Sequence, residues 1–254
     1  MDTQHIETTP RYWSFWATIA LGLVIFCVFS LAQVVGLVGY IYLVDPQAIS
    51  ALFDPNSAMS ADQLLSTYSF NGDAIAVSVI MSSVVCTALL IYLAWLRKPM
   101  TIDEYYDLNI PRLKSMLIFL GLMVLAMIAM ESVNHVLDRP TPEFMTEVYA
   151  NIHNLPLFWI AVSVAAPIFE EFFFRGFLLE GMSRSRLGLI GASIITSAAW
   201  AIIHLQYGWF EIISIFFIGI LLCIAKVKSR SLYVPIAMHM LMNITASIVM
   251  EFTL

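Results

Sequence analysis

Apolar runs long enough to cross about 30 Å of hydrocarbon recur along the chain, each closed by a short polar or charged segment. The first extends from Ser14 to Val44, broken only by the uncharged Gln33 and small residues. It exceeds the apolar core of a signal peptide, about 7 to 15 residues, and is expected to stay as an anchor. Residues 45–73 then turn polar, with Asp45, Asp54, Asp62 and Asp73, two prolines and no Lys or Arg. A second run, Ala74 to Leu96, carries no charge and stops at Arg97-Lys98-Pro99. The third, Leu113 to Met130, is shorter in its uncharged part. An acidic connector over 131–156 follows, where Phe144, Val148 and Ile152 recur every four residues; a short surface helix would fit that spacing, but a docked outer loop is the expectation. The fourth run, Leu157 to Leu179, is closed by Ser183-Arg184-Ser185-Arg186. A fifth runs from Leu187 to Leu205, a sixth from Trp209 to Ala225 and a seventh from Leu232 to Met250. No repeat, linker or low-complexity segment interrupts the pattern. It reads as an all-α polytopic membrane helix bundle of about seven transmembrane helices, one membrane domain over residues 1–254.

Composition sharpens this reading. With 254 residues, 60% hydrophobic and 12% charged, the chain is far more apolar than a soluble domain, in which about 25% of residues are charged. The lipid bilayer is its first expected partner. Cys27, Cys86 and Cys223 each sit inside an apolar run, so neither a disulfide framework nor a thiolate metal site is suggested. The net charge of -6 comes without a basic stripe, which excludes nucleic acid as a partner. Ten of the twelve basic residues, Arg11, Arg97, Lys98, Arg112, Lys114, Arg184, Arg186, Lys226, Lys228 and Arg230, fall on one side of a seven-span arrangement. That side is expected to be cytoplasmic, with the amino terminus inside, the carboxyl terminus outside and the chain in the cell membrane.

Three charges then stand out inside the fourth run, in Phe169-Glu170-Glu171-Phe172-Phe173-Phe174-Arg175-Gly176. Unpaired, they would oppose insertion by roughly 8 to 10 kcal/mol. Glu171 and Arg175, four apart in the order that pairs best on a helix, offset part of this as an ion pair and are expected to hold the motif in place. Glu170 projects about 100° away and has no sequence-local partner, which marks a functional site in a membrane segment. Pro167 lacks a backbone donor and tends to kink the helix, leaving carbonyls free beside a polar cavity.

Two later spans carry further polar groups. Trp200-Ala201-Ile202-Ile203-His204 places an imidazole four residues after an aromatic, and His239-Met240-Leu241-Met242-Asn243 places an imidazole and an amide at i and i+4. Singly, each reads as interhelical hydrogen bonding worth about 0.6 kcal/mol. Together with Glu170 they supply a base, two imidazoles and an amide from three helices, a set suited to hydrolysis. Glu170 would activate water with His204, and His239 and Asn243 would donate to the oxyanion. Two readings compete. One is a non-proteolytic membrane partner, an immunity or signalling scaffold, and the other is an ion or proton transporter using Glu170, His204 and His239. The absence of a repeated motif-bearing unit weighs against the transporter.

Glu170-Glu171-x-x-x-Arg175, then an aromatic-x-x-x-His ending at His204, then His239-x-x-x-Asn243, resembles the CAAX protease and bacteriocin-processing (Abi) family of intramembrane endopeptidases, related to the type II CAAX prenyl endopeptidases. The resemblance covers about residues 113–250 and leaves the helices of 1–112 as extra. It implies hydrolysis of a peptide bond in a peptide or membrane-protein substrate, with Glu170 and His204 activating water and His239 and Asn243 stabilising the oxyanion. Both metalloprotease and metal-independent glutamate-protease assignments exist for such proteins. If zinc is used, Glu170, His204 and His239 are the candidate ligands, but there is no H-E-x-x-H and no nearby cysteine, so no cofactor is expected to be required. Trp200 departs from the family's usual phenylalanine and is expected to narrow the pocket.

Overall fold

The computed structural model describes residues 12–54 and 60–253. These residues form helices and no strand. Helix α1 (Phe15–Val44) begins where the Ser14 hydroxyl accepts from the Ala17 amide, and two short helices, α2 (Pro46–Ala51) and α3 (Ala61–Tyr68), follow it. Helix α4 (Gly72–Trp95) starts at Asn71, whose side chain accepts from the Ala74 amide at 2.8 Å. A single turn, α5 (Ile102–Tyr106), precedes α6 (Leu113–Val136), and the connector after it forms α7 (Glu143–Ala150). Helix α8 (Leu155–Ser183) carries the acidic motif and is followed by α9 (Gly188–Ile202), α10 (Trp209–Ser229) and α11 (Tyr233–Thr253).

Six of these, α1, α4, α6, α8, α10 and α11, are long and apolar enough to cross a membrane. The chain is a polytopic helical bundle and an integral membrane protein. Two expected spans change in length. The third continues past Met130 through Glu131 and Asn134 to Val136, because polar side chains at a helix end can reach out of the apolar layer without unwinding the backbone. The fifth stops early, at Ile202, and has 15 residues. There the His204 backbone amide turns back to the Ala201 carbonyl at 3.1 Å, and the His204 imidazole takes over the Trp200 carbonyl. A helix that continued through His204 would have used the backbone amide for that bond, so the side chain ends the helix by substitution.

The N-terminal helices pack on the motif helix. Gly36 lets α1 approach α4 closely, since a Cβ there would lie 2.8 Å from the Ser78 Cα. On α8, Phe169, Phe173 and Phe177 stack in a column at i, i+4 spacing, and Phe29 of α1 lies against Phe169 with ring centres 4.7 Å apart and planes 10° from parallel. Tyr106 of α5 fits against Gly176, where a Cβ would meet its ring at 2.5 Å, and donates to the Leu90 carbonyl at 2.7 Å.

Side chains tie the loops together at both ends. At one end Lys226 bonds Asp107 and Glu180, Arg184 lies over the Tyr12 ring, Arg97 donates to the Tyr12 carbonyl and Ser231 donates to the Asn109 carbonyl. The basic segments around 97, 184, 226 and 230 thus meet on one side, as their spacing implies, while Arg11 lies outside the described residues. At the other end Asp73 accepts the His153 and Asn154 amides, and Arg139 pairs with Glu211 at 2.8 Å. These contacts clamp α7 over the bundle, with Val148 buried and Phe144 edge-on to Tyr207.

Candidate active site

Helix α8 is not regular. Two π-helical turns, Ala161–Ala165 and Phe172–Leu178, flank the Glu170-Glu171 pair. In the first, the Ala166 amide bonds the Ala161 carbonyl five residues back. The next carbonyl in that register, on Val162, would need an amide at position 167, and proline has none. The orphaned oxygen is taken instead by Asn243 of α11, whose Nδ2 donates to it at 2.7 Å. Pro167 therefore does free a carbonyl, and the amide of the third motif closes on it. One Nδ2 hydrogen of Asn243 is left for another acceptor.

Glu171 is fully buried and holds two partners with one oxygen. Its Oε1 accepts from Arg175 Nη1 at 2.9 Å and from His239 Nδ1 at 2.9 Å. A carboxylate paired with a guanidinium only accepts, so His239 carries its proton on Nδ1 and turns Nε2 the other way. That nitrogen stands 4.0 Å from Glu170 Oε2, too far for a direct hydrogen bond. Glu171 pairs with Arg175 in the i, i+4 arrangement that their spacing predicts. Its grip on His239 was not foreseen.

Trp200 is at the centre of the group. Its indole Nε1 donates a short hydrogen bond to Glu170 Oε2, and the Arg175 guanidinium lies 4.4 Å from the centre of its ring. Both imidazoles meet the ring edge-on, His204 at 5.4 Å and His239 at 5.2 Å between centres. A phenylalanine could fill the space and attract the guanidinium, but it has no donor for the carboxylate. The expectation that the larger ring only narrows the pocket thus understates it.

His204 sits in the turn after α9. Its Nδ1 lies 2.8 Å from the Trp200 carbonyl, which can only accept, so the proton is on Nδ1 and Nε2 is the free acceptor. The turn also brings in Tyr207, whose ring lies nearly parallel to the His204 imidazole, 6.2 Å between centres. Burial pushes the Tyr207 phenol up to about 12, with the neighbouring Tyr149 and Glu170 adding in the same direction, so it remains a donor at neutral pH. No motif pointed to Tyr207; its signal was only that it lies three residues beyond His204.

Glu170, His204, His239 and Asn243 all line one cavity of about 940 Å³. Its other walls are mainly apolar and come from α1, α4, α6, α7 and α10, with Gln33, Ser83 and Asn134 among the polar exceptions. Glu170 is 14% exposed, and it is the carboxylate of the pair that faces this space. Among the described residues no group of three or more His, Cys, Asp or Glu side chains is arranged to hold an ion. Each imidazole has its Nδ1 engaged, by a carbonyl or by a carboxylate, so Nε2 is the nitrogen left open for any ligand.

Residues 152–245 match the family model described as Type II CAAX prenyl endopeptidase Rce1-like. The membrane-embedded CAAX protease MroQ of Staphylococcus aureus is 33% identical over 95 residues, 35% of this chain and 37% of MroQ. Residues 152–245 of this chain are thus similar to the CAAX protease family. An uncharacterized 24.3 kDa protein of Escherichia coli is 27% identical over 157 residues, 59% of this chain and 69% of that protein. No solved structure matches the chain. The CAAX protease match takes in all of the motif residues, Glu170, Glu171, Arg175, His204, His239 and Asn243, and ends before the carboxyl end of α11. It does not reach α1, α4 or α6, which supply the opposite walls of the cavity.

Proposed function

We propose that this chain is an intramembrane endopeptidase in which Glu170 and His204 activate a water molecule. The observation that carries this reading is a carboxylate and two tautomer-fixed imidazoles facing one cavity that also reaches Asn243. Glu170 is held by the Trp200 indole on one oxygen, and His204 offers an unprotonated Nε2. A water between them loses its proton to Glu170 as its oxygen attacks the scissile carbonyl carbon. The tetrahedral oxyanion is met by the free Nδ2 hydrogen of Asn243, and by His239 when it takes a second proton on Nε2, with Glu171 as the counter-charge. Collapse breaks the C–N bond, Glu170 returns the proton to the leaving amine, and the products are a carboxylic acid and an amine. Side chains and water are sufficient for each of these steps.

The substrate is a peptide or a membrane-protein segment that reaches the cavity within the bilayer. The basic end formed around Lys226 and Arg184 faces the cytoplasm of the cell, with the basic-residue bias as support. The deciding experiment compares the membrane proteomes of cells carrying the native chain and Glu170→Ala at equal expression. New peptide termini that need the carboxylate are the expected result. Identical termini, with a full biological effect of the variant, would assign the chain a non-proteolytic role as a membrane partner.

A further inference from the structure

Gln33 is the one carboxamide in α1, and the hydrolytic cluster makes no use of it. It lies at the junction of two cavities. The main cavity, which holds Glu170, and a second of about 370 Å³ between α1 and α4 share Ser30, Gln33, Ile75 and Val79 in their walls. The second is thus a continuation of the first along α1, away from the reacting groups. The Gln33 side chain bonds no other described residue. In the wall of the main cavity, outside the smaller one, Ser83 of α4 is 3% exposed, and its hydroxyl has no partner either. An amide and a buried hydroxyl left unsatisfied beside an apolar groove are unfavourable unless something that binds there completes them.

The nature of that occupant follows from the chemistry of cutting a peptide in a bilayer. A helical segment hides its scissile carbonyl, so the segment must unwind to reach Glu170. Its backbone N–H and C=O groups are then exposed where no water satisfies them. A carboxamide carries the same donor and acceptor as a peptide bond and can meet both. An acyl chain offers neither and would leave Gln33 and Ser83 as they are.

We propose that the groove between α1 and α4, with the part of the main cavity that adjoins it, is the subsite for the extended stretch of polypeptide next to the scissile bond, held by hydrogen bonds to its backbone from Gln33 at the junction and Ser83 in the main cavity. This rests on the endopeptidase reading for the direction of the chain, and adds a recognition element outside the family-matched residues. Because the contacts are to backbone, the subsite selects for unwound peptide and little for side-chain sequence.

The test combines two measurements on the full chain in native membranes, after matching variants for expression and monodispersity. Gln33→Leu is expected to lower the yield of Glu170-dependent fragments by about tenfold, the factor one good hydrogen bond contributes, and Gln33→Asn to retain more than Gln33→Leu. Native yields from both Gln33→Leu and Ser83→Ala overturn the subsite. Separately, a photoreactive benzophenone side chain is placed at position 33 of the Glu170→Ala chain, and at the exposed Val35 as a control, and irradiated in intact membranes. Polypeptide adducts that map to membrane segments at 33 and are absent at 35 support it; phospholipid adducts alone overturn it. If no fragment depends on Glu170 while position 33 still captures such segments, the endopeptidase reading falls and the groove stands as a peptide-binding site.

Discussion

Glu170 and Glu180 sit on the same helix, and their side chains are almost equally buried, 14% and 13% exposed. Their surroundings differ in kind. Glu180 is closed on every side by charge, with Lys226 on one oxygen and Arg184 on the other at 3.2 Å, and Lys226 reaching on to Asp107 at 2.8 Å. Glu170 has a single neutral donor, the Trp200 indole, and otherwise looks into the cavity, with the His239 imidazole just beyond bonding range. Burial of a carboxylate in a membrane protein therefore says little about its role. What separates a brace from a reacting group is whether its hydrogen-bonding capacity is already spent on the protein.

The comparison breaks most sharply in activity. Glu170→Ala should lower peptide cleavage by about a thousandfold or more, as loss of a general base does, with the folded yield unchanged, whereas Glu180→Gln should leave turnover within a few-fold. Cleavage assays on purified, reconstituted chains decide it; equal losses from both variants would erase the distinction. Asn243→Ala should follow, at about 100- to 1000-fold in turnover with a smaller change in KM, because an oxyanion donor acts in the transition state. On the brace side, Lys226→Met leaves Asp107 without its cation and Glu180 with Arg184 alone. Unfolding should become easier by about 2 to 4 kcal/mol, below the full figure for buried pairs because Asp107 is a third exposed, and the molecules that remain folded should cleave normally. A thermal denaturation series in detergent measures this. The smallest effect expected is that of Trp200→Phe, which puts in the phenylalanine usual in the family that the motifs resemble and removes the indole donor. Turnover should fall by about tenfold with little change in melting temperature. An unchanged turnover would mean that the indole is packing and nothing more.

Much of this architecture was legible in the amino-acid pattern because apolar runs and interrupting charges report directly on membrane spans. The placement of Glu170, His204, His239 and Asn243 around one cavity was also within reach, since three spaced motifs on separate spans have few ways to meet. Other features were hidden for physical reasons. The π-helical turns of α8 change the backbone register without changing composition, so the pairing of Asn243 with the Val162 carbonyl has no sequence signature beyond Pro167. The bond from His239 to Glu171 depends on the angle between α8 and α11, which hydrophobic periodicity does not encode. His204 was read as part of a helix because its neighbours are apolar, and only the competition between its imidazole and its backbone amide ends α9 at Ile202. Gln33 was visible as an interruption but lacked any partner in sequence, and its position between two cavities comes from the close approach of α1 to α4.

The shortness of α9 has a consequence for the surrounding lipid. Fifteen residues rise about 22 Å, some 8 Å less than the hydrocarbon they stand in, and the polar turn of His204, Gln206 and Tyr207 begins where the helix stops. If α9 crosses the bilayer, lipids bordering it would have to shorten or tilt to keep their headgroups beside that turn, drawing one leaflet toward the carboxylate. The hydrolysis proposed above needs a supply of water, and a layer thinned in this way would give it a short route.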